Sequence, residues 1–371
     1  MSVFTTFRLA DNLGNHLIEI ANYASYTYVL NCAPGNIGVL EIELPRSFNT
    51  ALLMRDGRIG AWRSINGRAP YLDNGAIYLI ETLRYKATST LVRAYHATSL
   101  LDRRIIAYAA GSTYATKAAT NADNLIKTFW SENAGSGIVG ADRDGVETQA
   151  DISAYVTTQA NQSLGASVAK AAARRRLLAV AQELAEASTT AGTYLTFEII
   201  APSETTLELR TYTTQRGVDR RASTANPVIL REQAGVLENA ELTIDYSEEK
   251  TFVVAGGQGE GTQRLIATAI DTTRIGVSPF GRCETFADMS NVADSTSLQD
   301  DADAGLRNGR PAITFSGDLI ETPALTRGIH FDLGDMLTAE DPQTHQQYDV
   351  RLDMVKESSS GPAQIALRSV T

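Results

Sequence analysis

Cysteine is nearly missing from this 371-residue sequence: only Cys32 and Cys283 occur, far apart in the chain. Two such residues make neither a disulfide framework nor a zinc spacing, and they read as reduced, buried thiols. No apolar run approaches the roughly 18 residues of a membrane-spanning helix. The opening MSVFTTFRLADNLGN lacks a charged segment followed by an apolar one, so no secretory signal is expected. Synthesis in a cytoplasm, without export by the usual route, follows from this. Basic charge is also short: 33 Lys and Arg face 43 Asp and Glu, a net charge of −10. Tight wrapping of nucleic acid needs a basic face to neutralise phosphates, and this balance argues against it. A channel through which DNA slides without sticking stays compatible.

Catalytic and ligand-binding signatures are missing too. The four histidines, His16, His96, His330 and His345, form no i, i+4 pair and no H-E-x-x-H. No G-x-S-x-G is present, and Ser358-Ser359-Ser360-Gly361 reads as a hairpin turn. Gly257-x-Gly259-x-Gly261 leads into LIATAI, a strand-like segment, so it reads as a glycine-rich hairpin or bulge rather than a nucleotide loop. Asp300, Asp301 and Asp303 precede Gly305, but Pro311 stands where a calcium loop needs its final Glu. The run is expected to be a solvated loop, with a weak cation site as the alternative. No acidic pair singles itself out as a glycosidase couple. No catalytic residue, cofactor or metal ligand is therefore expected.

What the chain does have is strand pattern. Leu40, Ile42 and Leu44 alternate with Glu41 and Glu43 before Pro45, the signature of a half-buried strand. Ser25–Leu30, Ile59–Ser64, Ala76–Tyr85 and Thr90–His96 add four more. Turns are expected at Asn66-Gly67 and Asp73-Asn74-Gly75, where residues tolerate positive φ. Short strands at regular spacing predict a barrel or sandwich over 1–108. The segment 109–225 changes character. Apolar residues at helical spacing (Ala118, Ala122, Leu125, Ile126, Phe129, Trp130) predict a helix over Tyr114–Glu132. A glycine-rich loop, Ala134–Gly145, follows. A second helix is predicted over Ser167–Ala187, burying Leu177, Val180, Ala181 and Leu184. Strands Tyr194–Ile200 and Thr206–Tyr212 flank a turn at 201–204. Strand pattern returns over 226–371, at Glu241–Tyr246, Thr251–Ala255, Arg264–Ile270, Ala312–Phe315, Asp349–Val355 and Gln364–Val370. Val350, Leu352 and Met354 alternate with Arg351 and Asp353. The order predicts an α+β, β-dominated fold: two β modules, possible distant duplicates, bracketing a helix-and-hairpin insert.

Three basic clusters interrupt the acidic balance: Arg103-Arg104, Arg174-Arg175-Arg176, and Arg216 with Arg220-Arg221. Solvated surface with local ion pairs is the plain reading. Docking onto an acidic partner through Arg174, Arg175, Arg176, Arg216, Arg220 and Arg221 is the functional one, since the planar guanidinium suits interfaces.

Several segments carry a resemblance. They are VVAGGQGEGTQR (Val253–Arg264), RCETFAD (Arg282–Asp288) and IHFDLGDMLTAED (Ile329–Asp341), with ANYASYTYVLN and the E-I-E-L-P strand near the start. In this order they resemble the tail-tip hub, or tail-hub minor tail, proteins of siphophages, which are similar to the central baseplate hub of contractile-tailed phages. The resemblance implies two tail-tube-like β-barrels in one chain with inserts between them. It implies a homotrimer whose six barrels form a pseudo-sixfold ring. That ring would join the tail tube or distal tail ring to a central fibre or spike, near the tape-measure protein, in a virion assembled in the host cytoplasm. An acidic lumen would let DNA pass without specific binding. Unlike many tail-tip proteins, the sequence ends after QIALRSV, with no room for a lytic module. Two other classes remain open: a carbohydrate- or receptor-binding β protein, for which 14 Tyr speak and two Trp do not, and a β-rich enzyme.

Overall fold

The computed structural model describes residues 2–107, 115–138, 151–172, 174–289 and 295–370; of residues 296, 297 and 300 it describes the backbone alone. Tyr114, residues 139–145 of the glycine-rich loop and the Asp300 side chain lie outside the described set.

The first seven strands are β1 (Val3–Ala10), β2 (His16–Ile20), β3 (Ser25–Asn31), β4 (Val39–Pro45), β5 (Arg58–Ile65), β6 (Tyr71–Tyr85) and β7 (Ser89–His96). Alternation decides which face each one buries: Leu40, Ile42 and Leu44 are fully buried, while the glutamates between them reach solvent. Asn66 and Gly67 take left-handed φ of 52° and 73°, as expected of a tight turn. Asp73-Asn74-Gly75 is not a turn. It lies within β6, where Asn74 and Gly75 also have positive φ and the pairing with β5 slips. The slip is a bulge, and it turns Asp73 into the core at 0% exposure.

Next come β8 (Ala115–Asn121), α1 (Ala122–Ala134), β9 (Val156–Thr158), β10 (Ser167–Ala172), α2 (Leu177–Thr190), β11 (Leu195–Ile200) and β12 (Leu207–Thr213). Both expected helices begin later than their sequences suggest. Ala115–Asn121 and Ser167–Ala172 instead pair with each other as antiparallel strands. Their Ala, Lys and Thr content suits a helix as well as a strand, and tertiary pairing overrides so weak a propensity. Arg174, at φ 50°, then turns the chain before α2. The helical faces fall where the spacing put them: Leu125, Ile126, Phe129 and Trp130 of α1 meet Leu177, Val180, Ala181 and Leu184 of α2 in one buried cluster. Ile77 and Leu79 of β6 join this cluster, so the insert is packed onto the first β region.

The last stretch contains β13 (Ile229–Leu230), β14 (Leu237–Asp245), β15 (Phe252–Gly256), β16 (Ile266–Ile270), α3 (Thr272–Ile275), β17 (Glu284–Asp288), α4 (Ser295–Asn308), β18 (Ala312–Leu319), β19 (Met336–Glu340), β20 (Gln347–Ser358) and β21 (Ala363–Ser369). The glycine cluster lies between β15 and β16, which form an antiparallel hairpin, with β17 added on the other side of β15. The aspartate run 300–303 is not a loop but part of α4. Leu298, Ala302 and Leu306 recur every four residues and pack that helix on Ala255 and Ala269. In β20, Val350 and Leu352 are buried as expected, but Met354 is not. A register slip between Leu352 and Met354 shifts the alternation, so that Val355 takes the inward place.

The fold is β-dominated. A 13-stranded sheet, curled as a half-barrel, runs β14-β18-β21-β20-β3-β4-β7-β6-β5-β1-β2, with β19 on β20 and β13 on β19. Its two halves come from different parts of the chain and meet where β20 pairs antiparallel with β3. One buried cluster, including Leu40, Ile42, Tyr78, Phe315, Leu352 and Val355, serves both. The order β3-β4-β7-β6-β5 reappears as β14-β18-β21-β20-β19, with β15–β17 and α4 inserted between β14 and β18.

Candidate functional site: a buried ionic junction

Charged side chains gather where the two halves of the sheet meet. Arg327, at 0% exposure, grips Asp73 through two parallel bonds of 2.8 Å. Its Nη2 also reaches Glu357 Oε1 at 2.8 Å, and its Nη1 reaches Asp332 at 3.3 Å. Arg63, from β5, bonds Glu321 and lies 3.3 Å from Glu357. Tyr28 of β3 donates its hydroxyl to Asp73 Oδ2 at 2.9 Å. The junction therefore joins β3, β5 and the β6 bulge to β20 and to residues 321–332.

A second branch ties in the insert. Asn74 donates to Asp332 at 2.9 Å and accepts from Arg216 Nη1 at 3.1 Å. Arg216 also donates to Glu198 Oε1 at 2.7 Å and to the Leu333 carbonyl at 2.9 Å. The left-handed pair Asn74-Gly75 makes this possible, because the bulge points Asp73 and Asn74 at partners in both other regions.

Electrostatics follow from burial. Burial alone would raise the Asp73 carboxyl, but the charge and hydrogen bonds of Arg327 overcome it and hold the group at about 2. Burial pushes the Tyr28 phenol well up, with Asp73 adding to the shift. Burial opposes the charge on Arg216, but Glu198 outweighs it and keeps the guanidinium firmly protonated. Such a network is costly to desolvate, and deleting one partner would leave the other charge buried without compensation.

Reactive chemistry finds little support. Burial raises the Cys32 thiol far above the thiolate range, and its sulfur lies 3.5 Å from the Leu352 carbonyl. Burial lowers the His96 imidazole to about 4; its Nδ1 is 3.0 Å from Thr98 Oγ1, and that hydroxyl accepts from the Ile199 amide. Among the described residues, no group of three His, Cys, Asp or Glu is placed to hold a metal ion. A half-open cleft of about 790 Å³ lies between α2, the end of α4, the middle of β20 and the end of β21. There the Arg351 guanidinium sits 3.4 Å over the Tyr194 ring.

The sequence-based docking residues fall in different settings. Arg216 is buried and committed internally, as described. Arg220 bonds Asp335 at 3.1 Å, and Arg221 bonds Asp219 and Asp349 at 2.7 and 3.3 Å. Arg175 pairs with Glu183, and Arg176 reaches Asp102 at 3.2 Å; their side chains remain 47% and 62% exposed. Arg174 precedes α2 and is likewise engaged. Arg103 pairs with Asp56 and Glu81, both at 2.6 Å. The residues the sequence did not single out are Asp73, Glu321, Arg327 and Glu357. Asp332 does lie in the Ile329–Asp341 segment that carries the resemblance.

The fold defines the class: it is that of phage tail proteins. The 43 kDa tail protein of prophage MuSo2 from Shewanella oneidensis matches with a TM-score of 0.60 at 10% identity, over 99% of this chain and 98% of that one. A tail protein from Neisseria meningitidis MC58 matches at 0.59 and 12%, over 98% and 96%. The prophage tail protein gp18 from Listeria monocytogenes EGD-e matches at 0.54 and 13%, over 98% and 94%. No curated protein sequence matches the chain significantly. The family model for Siphovirus ReqiPepy6 Gp37-like protein matches residues 75–367, and the chain belongs to that family. It is a phage tail structural protein.

Proposed function

We propose that this protein is the hub of the tail tip: a homotrimer forming a pseudo-sixfold ring between the tail tube and a central fibre or spike. The observation that carries this reading is the double occurrence of one five-strand order in a single continuous sheet. Two equivalent units per chain give six units in a trimer, which match a sixfold tube above and a threefold element below. In this reading 1–108 and 226–371 are the two tube-like barrel modules, and 109–225 is the insert on the outside. The ring meets the tail-tube or distal tail ring on one face, the fibre or spike on the other, and the tape-measure protein near its axis. The ionic junction holds the two modules of one chain at the fixed angle a ring requires.

The role is mechanical and involves no catalysis. The net charge of −10 supports a lumen that repels phosphate, so that DNA passes without binding. Of the six arginines considered for docking, Arg174, Arg175 and Arg176 are exposed and so placed to meet an acidic partner. The protein acts in the virion, at the tail tip, after assembly in the host cytoplasm.

Light scattering after size exclusion, with averaged particle images, tests this. The expected result is a mass of three chains and six similar lobes around a channel. A strict monomer at every concentration, alone and with tail-tube protein, refutes the ring.

A further inference from the structure

We infer that neighbouring copies join through the free edge of β14 and the free edge of Thr82–Lys86, the end of β6 and the residue after it, in a register already written inside each chain. This inference rests on the ring reading above and names its seam.

The inference begins with the repeat. In the first unit one row of facing residues crosses the sheet: Ile80, Ala94, Leu40, Tyr28. In the second unit the matching row is Leu352, Leu367, Phe315, Leu242. The bulges match as well. The β6–β7 pairing slips between Ile80 and Thr82, leaving Glu81 extra, and the β20–β21 pairing slips between Leu352 and Met354, leaving Asp353 extra. These landmarks align the units residue by residue. Thr82–Lys86 then corresponds to Met354–Ser358, and Glu241–Asp245 corresponds to Thr27–Asn31.

Within the chain, Met354–Ser358 pairs antiparallel with Thr27–Asn31, and this is the junction of the two units. The corresponding segments each have a partner on one side and an open edge on the other. β14 ends the sheet and, among the described residues, pairs only with β18. The pairing of β6 with β5 stops at Leu79, so β6 beyond Ile80 has β7 on one side and nothing on the other among the described residues. Two open edges in one sheet, each the counterpart of a closed one, define a head-to-tail contact.

The internal register, transferred, makes chemical sense at each contact that matters. Val355 opposite Leu30 becomes Leu83 opposite Ile244 of the next copy. Glu357 opposite Tyr28 becomes Tyr85 opposite Leu242. These four share one face, and all are apolar. Tyr85 is 63% and Ile244 37% exposed in the single chain, while Leu83 and Leu242 pack partly on the main core. On the other face, Ser358 opposite Thr27 becomes Lys86, which also bonds Glu43 of its own chain, opposite Glu241, an opposite-charge pair. A shift by one residue would set the apolar row against Thr243 and Asp245. The partner is thus a second copy of this chain.

Paired cysteines test the register. Directly opposed residues have Cβ atoms about 4.5–5.5 Å apart, near the span of a disulfide. Leu83→Cys with Ile244→Cys is in register, and Arg84→Cys with Ile244→Cys is one residue out. Both full-length variants, checked for native melting, are oxidised beside the wild-type chain and the single variants. Covalent dimers and trimers from the first variant, at least ten-fold above the second, are the expected outcome. No multimers, equal yields from both variants, or a cross-link confined to the monomer each overturn the seam. Lys86→Glu should weaken self-association, and adding Glu241→Lys should restore it; no rescue also counts against the register. A threefold wild-type particle without in-register capture discards the seam and leaves the ring. A monomer without capture discards both.

Discussion

Removing Arg327 is the sharpest probe of the ionic junction. Arg327→Met keeps much of the volume but leaves Asp73, at 0% exposure, with the Tyr28 hydroxyl and Asn74 as hydrogen-bond donors and the more distant charge of Arg63. Glu357 keeps one cation, Arg63 at 3.3 Å. Breaking a buried pair by deleting one partner costs about 3–5 kcal/mol, because a charge stays behind without compensation. Asp73→Asn should cost less, about 2–3 kcal/mol, since Arg327 retains Glu357 and Asp332. The double variant should recover part of the loss, giving a coupling energy of about 1.5–3 kcal/mol. Urea unfolding followed by tyrosine and tryptophan fluorescence measures all four corners. A cost below about 1 kcal/mol for Arg327→Met, or strict additivity in the double variant, would show that the junction is not a unit.

Three further outcomes follow from the same geometry. The Asp73 carboxyl titrates near 2 when folded and near 3.8 otherwise, so the unfolded chain binds the extra proton between these values. Its contribution, on the order of 2 kcal/mol, is therefore present above pH 4 and lost as pH falls towards 2; acid titration of Asp73→Asn should lack that loss. His96 is depressed to about 4 by burial, with nearby Glu198 and Arg216 acting in opposite directions, so it is neutral in the fold while the unfolded imidazole protonates near 6.5. Stability should fall by on the order of 3 kcal/mol between pH 6.5 and 4, and melting curves of His96→Gln should be flatter there. At Gly38 an added Cβ would stand 2.2 Å from the Val29 carbonyl oxygen, which is backbone. Gly38→Ala should cost more than about 2 kcal/mol by forcing β3 and its flank apart, and a melting point equal to wild type would refute the packing.

Legibility in the sequence followed the range of the physics. Strands such as 40–44 and helix faces such as Leu177, Val180, Ala181 and Leu184 were readable, because alternation and helical spacing act over a few residues. Strands β8 and β10 were read as helix, since Ala, Lys and Thr declare no strong preference and the decision is made by their mutual pairing. The α4 face is present in the sequence as Leu298, Ala302 and Leu306, but the aspartates between them have the composition of a solvated loop. The junction had no local sign at all. Arg327 and Asp73 are 254 residues apart, and Asp73-Asn74-Gly75 has the composition of a plain turn. Its left-handed φ values would suit a turn equally well; pairing with β5 on both sides is what makes it a bulge.

The repeat and the junction bear on each other. If the two units were identical, β3 would pair equally well with its own β20 or with β6 of a neighbour, and chains would tangle. The internal seam differs from its counterpart where it matters: Glu357 and Tyr28 stand at positions that Tyr85 and Leu242 hold elsewhere in the repeat. Glu357 is answered by Arg63 and Arg327, and the Tyr28 hydroxyl by Asp73. A neighbour's Tyr85 opposite Tyr28 would displace Glu357 and leave those buried guanidiniums short of a partner, a penalty of several kcal/mol. The wrong pairing is rejected by charge, and the free edges are left to an apolar row that needs no such completion. One ladder geometry can thus serve twice, once fixed within the chain and once formed on assembly.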